Sequence, residues 1–177
     1  MMERQKNKLK ENKKYLILLG IIGLVAILIR IYYFPYEIPI SLDAIEYFVY
    51  AGKLSQAGQF PIGFVSTNNG WSTFLALFFS LTNSENFFDY VNIQRSLGIF
   101  ISVISIVPLY FLCNKFVDKK YALIGASLFV FDPRIILNSL SGGTDPAYIF
   151  LTILSLALFF SSKNKIVYIS FAIAALA

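Results

Sequence analysis

Long uncharged stretches alternate with short polar segments along this chain. The first covers residues 15–34, where Arg30 is the sole charged residue, and it follows a basic tail at residues 1–14. About 20 apolar residues in a helix cross the roughly 30 Å hydrocarbon core of a membrane. The pattern therefore predicts an all-α integral membrane protein, a multispan helical bundle. Its five predicted spans, the last of them truncated, are 15–34, 96–114, 121–140, 146–162 and 166–177.

Two shorter helices are predicted in residues 35–95, the long loop between the first two spans. Residues 41–57 form an amphipathic helix with Ser41 as its N-cap, and residues 71–82 are too short to cross a membrane. Both are expected to lie at the membrane interface, and Gly58, Pro61 and Gly63 separate them. The first carries a polar stripe of Asp43, Glu46, Tyr47 and Tyr50 opposite an apolar face of Leu42, Ile45, Phe48, Val49 and Gly52.

Composition excludes a soluble globular domain and several kinds of chemistry. Hydrophobic residues make up 57% of the chain and charged residues 14%, where soluble domains carry about 25% charged residues. The chain has no histidine and one cysteine, Cys113, which excludes histidine bases, histidine metal ligands and an internal disulfide. Any chemistry must therefore rest on carboxylates, Arg, Lys, Tyr, Asn and the backbone.

The distribution of charge predicts the side on which each loop lies. If residues 71–82 do not cross, one side holds eleven of the fifteen basic residues and three of the ten acidic ones, in residues 1–14, 115–120 and 163–165. Loops with excess Lys and Arg stay in the cytoplasm, so a cytoplasmic N-terminus is expected. The Lys-, Asn- and Ile-rich composition is compatible with a prokaryotic plasma-membrane protein. The basic balance needs no nucleic acid as partner.

The opposite, outer side gathers the remaining carboxylates. Asp145 follows the flexible residues 141–144 and opens the fourth span, and Asp132, Arg134 and Arg95 complete a polar patch near the membrane boundary. Simpler interpretations stay open for each residue. Asp145 or Thr144 can be an N-cap, Asp132 and Arg134 can neutralise each other, and Arg95 can reach the phosphate layer. The polar stripe of residues 41–57 can be a solvated face.

Four short motifs follow one another in an order that resembles a known family. The order and outer location of Leu42-Asp43-Ala44-Ile45-Glu46-Tyr47, Gly70-Trp71, Gln94-Arg95-Ser96-Leu97 and Thr144-Asp145-Pro146 are similar to those of C-type fold glycosyltransferases that use lipid-phosphate sugars. The nearest groups are protein O-mannosyltransferase-like and aminoarabinose-transferase-like enzymes. Two departures stand out: Ala44 replaces a second acid, and residues 66–69 replace a Lys-Pro-Pro motif.

The resemblance implies an inverting sugar transfer from a polyprenyl-phosphate donor to a protein, lipid or glycan acceptor on the outer face. Asp43 is the expected base, and Asp145 or Glu46 supplies a second carboxylate. Tyr47 is a further expected substrate contact. Arg95 is expected to hold the phosphate, supported by Lys53 and Arg134, and Mg²⁺ or Mn²⁺ is an optional cofactor between Asp43 and Asp145.

Two other function classes remain. A non-catalytic membrane subunit would bind a partner through the outer loop and tolerate replacement of Asp43 and Asp145. A transporter or flippase would favour broken helices at mid-membrane, where the sequence offers Pro108 and scattered small residues. The short fifth span predicts that the chain is the N-terminal piece of a longer protein and inactive alone.

Overall fold

The computed structural model describes residues 2–40, 43–62, 69–161 and 164–177. Within these ranges every regular element is an α-helix. The predicted cap Ser41 and residues 42, 63 and 66–68 of the predicted motifs lie outside the described residues. The helices are α1 (Met2–Tyr32), α2 (Asp43–Ala57), α3 (Asn69–Ser80), α4 (Phe87–Ile104), α5 (Ile106–Cys113), α6 (Lys119–Val130), α7 (Pro133–Ser141), α8 (Asp145–Phe159) and α9 (Asn164–Leu176).

Two helical stretches are long and apolar enough to cross a membrane. They are Glu11–Tyr32 within α1 and Phe87–Cys113, which joins α4 and α5, and the bent pair of α6 and α7 makes a third if it counts as one span. The 15 residues of α8 extend about 22 Å, short of the roughly 30 Å hydrocarbon core. A membrane protein is therefore indicated, and the five-span arrangement stays a prediction.

Both long spans begin earlier than the uncharged stretches do. α1 starts at Met2 rather than near residue 15, because Lys, Glu and Gln continue a helix as readily as apolar residues. α4 starts at Phe87 because Asn86 caps it, its side-chain oxygen accepting from the backbone N–H of Phe88 at 3.0 Å. Loss of charge marks where a helix enters hydrocarbon, whereas capping marks where the helix begins.

The predicted third span, residues 121–140, is broken rather than continuous. The direction of the helix axis changes by 50° between α6 and α7. Asp132 precedes Pro133 and is extended, as residues before proline usually are, and its Oδ1 accepts from the backbone N–H of Arg134 at 2.8 Å. Asp132 thus starts a new helix instead of continuing the old one.

The bundle packs around a central buried cluster. α1 contacts α4, α5 and α6, and α8 contacts α4, α5 and α9. α4 and α7 approach so closely that a Cβ on Gly98 would lie 3.0 Å from the carbonyl oxygen of Ser139. Much of the apolar surface of α1 stays exposed, as expected for a helix against lipid. The central cluster consists of Leu19, Ala26, Ile99, Val103, Ile106, Tyr110, Ala122, Ala126, Val130 and Leu140.

The two ends of the bundle gather different segments. At one end Lys119 Nζ lies 3.1 Å from Glu11 Oε1, and the rings of Phe116 and Phe160 are 5.0 Å apart. This Lys119 end brings together residues of two basic segments, 1–14 and 115–120, and the end of α8, which shortly precedes the third in the sequence. At the other end α2 and α3 pack together and against α4. The structure supports the grouping, and which end is cytoplasmic stays a prediction.

Candidate functional site

Gln94 and Arg95 on α4 join the segments that carry the predicted site residues. Gln94 is fully buried, and its Nε2 donates to the carbonyl of Ala44 at 3.1 Å and to that of Gly142 at 2.6 Å. Ala44 is next to Asp43, and Gly142 lies three residues before Asp145. One side chain therefore links the start of α2 to the turn between α7 and α8, although 98 residues separate Ala44 from Gly142.

Arg95 binds backbone carbonyls and is not a free cation at the surface. Its Nε donates to the carbonyl of Leu140 at 3.0 Å, and its Nη1 donates to those of Pro35 at 2.7 Å and Ile38 at 2.6 Å. The side chain is buried, so the alternative in which Arg95 extends to the phosphate layer is wrong. Its predicted contact with a substrate phosphate remains untested, but two of its three nitrogens already have acceptors.

The turn between α7 and α8 needs glycine at one position. Gly142 ends α7 with φ of +81°, where a residue with a Cβ is strained. A Cβ here would also lie 3.3 Å from both Gln94 Nε2 and Ile40 Cγ2. The backbone of Gly142 can approach Gln94 because no side chain intervenes, and this approach fixes the entry into α8.

The polar stripe predicted on α2 is divided in the structure. Asp43 and Glu46 are exposed, as expected. Tyr50 is buried, and Tyr47 packs against the cluster around Trp71 on α3, so the expectation that both phenols share the open polar face is wrong. The sequence pattern did not indicate that α3 packs against the Tyr47 side of α2.

The exposed apolar residues of the 35–95 segment lie outside this packed interface. They offer a surface suited to the membrane boundary, as predicted for interfacial helices, although their depth in a bilayer remains a prediction. They include Ile45 and Val49 on α2, Phe60 and Ile62 after α2, and Leu77 and Leu81 at the end of α3.

A groove of about 520 Å³ opens between the starts of α3 and α8. The size is that of sites for small organic ligands. Asp145 supplies its carboxylate, Thr144 and Tyr148 supply hydroxyl groups, and most of the remaining wall is apolar. The lining residues are Gly70, Trp71 and Phe74 from α3, Ile101 from α4, Thr144, Asp145, Ala147, Tyr148, Phe150 and Leu151 at and after the start of α8, and Leu176 and Ala177 at the end of α9.

Asp145 lies beside the middle of α4 and not beside its first turn. The ring of Pro146 is beside Gly98, 3.8 Å from where a Cβ would stand, and Gly98 is about 16 Å along α4 from Phe87. Thr144 occupies the N-cap position of α8, in agreement with the simpler interpretation, but its side chain makes no capping hydrogen bond. Asp145 is exposed in the first turn, where the helix dipole favours a negative charge.

Trp71 lines the groove with a largely buried side chain. The ring packs against α2 and α4, and its Nε1 has no acceptor among the residues that the structure describes. Buried polar groups are normally hydrogen-bonded, so this nitrogen is an exception. It has almost no accessible surface of its own, so a ligand in the groove does not reach it in this structure.

The other predicted cations lie away from this cluster. Lys53 is exposed ten residues after Asp43, about 15 Å along α2. Arg134 is exposed in the first turn of α7, while Arg95 binds the last turn. Asp132 accepts hydrogen bonds from two backbone N–H groups at the start of α7. These bonds explain the presence of Asp132 without an ion pair to the side chain of Arg134. Lys53 is thus separated from Asp43 along α2, and Arg134 is separated along α7 from the turn that leads to Asp145.

No group of three acidic, histidine or cysteine side chains that could hold a metal ion occurs in the described ranges. The optional Mg²⁺ or Mn²⁺ site therefore depends on two carboxylates, Asp43 and Asp145, and stays a prediction.

Sequence reasoning missed two polar residues that organise the bundle. In the sequence pattern Gln94 is only the neighbour of Arg95, and Arg30 is only a charge near the end of a span. Arg30 is in fact fully buried among α1, α4, α6 and α7. The signal was present for Arg30, because a charge inside an apolar span is costly unless it is bonded within the protein.

Comparisons of the chain with protein families, with curated proteins and with solved structures find no match.

Proposed function

We propose that this chain is part of a membrane glycosyltransferase that moves a sugar from a polyprenyl-phosphate donor to an acceptor on the outer face of the plasma membrane. The observation that supports it best is the groove beside α3 and α8. Its apolar walls suit a hydrocarbon chain, and Asp145 lies at its polar part. Gln94 holds the turn before Asp145 against the start of α2, where Asp43 is exposed.

The proposed reaction uses the exposed carboxylate of Asp43 as base. An acceptor hydroxyl or amine attacks the anomeric carbon of the sugar, and its proton passes to Asp43. The bond between that carbon and the phosphate oxygen breaks, and the phosphate leaves with the electron pair as polyprenyl phosphate. Asp145 or Glu46 stabilises the positive charge that develops on the sugar ring. The configuration at the anomeric carbon inverts.

Arg95 is proposed to hold neighbouring segments in place rather than to contact the substrate. Its bonds to Pro35, Ile38 and Leu140 hold the segment after α1 against α7. The leaving phosphate is then stabilised by the N-terminus of α8, which belongs to the groove. Lys53 and Arg134 are proposed to contact a more distant part of the substrate.

The test is a transfer assay on the full-length protein in membranes with a panel of polyprenyl-phosphate sugars. We expect Asp43→Asn to lower transfer by about 100-fold or more, the usual contribution of a general base. Glu37→Gln is the matched control, because Glu37 is an exposed carboxylate at the same end of the bundle. It should leave transfer unchanged.

Asp145→Asn should also lower transfer at equal expression. Equal activity of wild type, Asp43→Asn and Asp145→Asn would disprove these roles. Absence of transfer with every donor would favour the non-catalytic subunit, in which both replacements are tolerated.

A second candidate, a transporter, is favoured by the bend of 50° between α6 and α7. Broken helices near the middle of the membrane are common in transporters. Uptake of the same sugar donors or their headgroups into sealed vesicles, with no transfer product, would support it.

A further inference from the structure

Arg30 is the most deeply buried charged side chain in the described part of the bundle. It lies near the end of α1 and none of its surface is exposed. Its Nε donates to Ser139 Oγ at 3.0 Å, and its Nη2 donates to Ser102 Oγ at 3.1 Å. Its Nη1 donates to the carbonyl of Ala26 at 3.2 Å, within α1 itself. These bonds connect α1 to α4 and α7.

The fourth bond explains why a cation is needed at this place. Arg30 Nη2 also donates to the carbonyl of Val130 at 3.1 Å, and Val130 is the last residue of α6. In a continuous helix the N–H of Arg134 would donate to that carbonyl. Here the N–H of Arg134 donates to Asp132 instead, and Pro133 has no N–H to offer. Arg30 therefore satisfies the carbonyl that the break leaves free.

Electrostatics favour the same arrangement. The C-terminal end of a helix carries partial negative charge, and the guanidinium lies against the C-terminal end of α6. All four acceptors of Arg30 are neutral hydroxyl or carbonyl oxygens. A residue that merely extends its charge to the membrane surface would be exposed at its tip, and Arg30 is not.

We infer that Arg30 is a positioning residue that holds the break between α6 and α7 from inside the membrane. Its planar fork reaches α4, α6 and α7 together, and an ammonium group cannot match that geometry. By fixing the angle of α7, Arg30 sets where Gly142 meets Gln94 and therefore where α8 begins. This role concerns the shape of the bundle and does not depend on the proposed glycosyltransferase activity.

The test measures the bend directly by pulsed electron paramagnetic resonance on the full-length protein in nanodiscs. Spin labels are placed through Tyr121→Cys on α6 and Leu137→Cys on α7, both exposed, in a Cys113→Ala background. We expect Arg30→Met to broaden the distance distribution and shift it to longer distances as the bend opens. Arg30→Lys should not restore the parent distribution, because the charge alone is insufficient.

Two controls separate this role from general destabilisation. Lys14→Met removes a positive charge from the exposed part of α1 and should leave the distribution unchanged. A second label pair, Tyr148→Cys on α8 and Lys165→Cys on α9, reports a helix pair that does not contact Arg30. Its distribution should stay the same in the Arg30→Met protein.

If the Arg30→Met protein does not insert, the double variant Ser102→Ala with Ser139→Ala replaces it. That variant removes two acceptors and leaves the charge in place, and it should also broaden the α6–α7 distribution. An unchanged distribution in Arg30→Met, or in the double variant where Arg30→Met does not insert, would overturn the inference. Full restoration by Arg30→Lys would also overturn it.

Discussion

Gln94 shows how a single buried amide can organise a site that it does not form itself. Its Nε2 group satisfies one carbonyl at the start of α2 and another in the turn before α8. Its Oε1 is buried with no donor among the described residues, so the orientation of the amide is set by the two carbonyls. The relative position of Asp43 and Asp145 therefore depends on a neutral residue between them.

Replacing Gln94 should destabilise the protein more than replacing an exposed glutamine. Gln94→Leu leaves the carbonyls of Ala44 and Gly142 without their donor, and we expect a loss of about 2 kcal/mol in unfolding free energy. Gln56→Leu is the control, because Gln56 is exposed on α2. Thermal unfolding in detergent compares the two. Equal midpoints for both variants would contradict the structural role of Gln94.

At the scale of helices, the contact between α4 and α7 depends on the absence of a side chain at Gly98. The same two helices are also joined by Arg30 through Ser102 and Ser139, and by Arg95 through Leu140. α7 has nine residues, and a helix this short depends on packing for its stability. These contacts with α4 therefore hold α7 in place. Small residues that permit close approach are typical of helix contacts in membranes.

Gly98→Ala should weaken this contact, because its Cβ would lie 3.0 Å from a backbone oxygen of α7 that cannot rotate away. We expect a loss of roughly 1–3 kcal/mol, the usual cost of overpacking. Gly20→Ala on α1 has no atom within 4 Å of its Cβ and should be neutral or stabilising by up to about 1 kcal/mol. Both effects are measured as unfolding midpoints in the same detergent. A neutral Gly98→Ala variant would show that α4 and α7 lie further apart.

At the scale of the whole molecule, the number of membrane crossings depends on the short helices α8 and α9. Two or three helical stretches meet the length and composition needed to cross, while α8 and α9 are shorter. The charge pattern nevertheless places 115–120 and 163–165 on one side. The contacts of Glu11 with Lys119 and of Phe116 with Phe160 bring residues of 1–14 and 115–120 together with the end of α8.

Labelling of single cysteines in intact cells should distinguish the arrangements. In a Cys113→Ala background, Ser84→Cys and Ser141→Cys should react with a membrane-impermeant maleimide from outside, because both lie at the end opposite Lys119. Val117→Cys and Lys165→Cys should react only after permeabilisation. Reaction of Lys165→Cys from outside, with Val117→Cys still protected, would show that α8 does not cross.

The sequence by itself determined the helical membrane character, the two short helices after the first span and the break at Gly58. These features follow from local properties: apolar length, the period of polar residues and the conformations open to glycine and proline. It also located Asp43 and Asp145 at exposed positions. Their proposed catalytic roles came from a resemblance and remain to be tested.

Only the tertiary structure decided which polar groups are used inside the protein. It bonded Arg30, Arg95 and Gln94 to backbone carbonyls, buried Tyr50, and placed Lys53 about 15 Å along α2 from Asp43. The charge of a residue and its position in the helical repeat indicate what it can bond to. Its actual partners come from segments up to 109 residues away in the sequence. The carbonyl of Val130 lacks a backbone donor because α6 ends there. The packing of α1 against α6 brings Arg30 to that carbonyl.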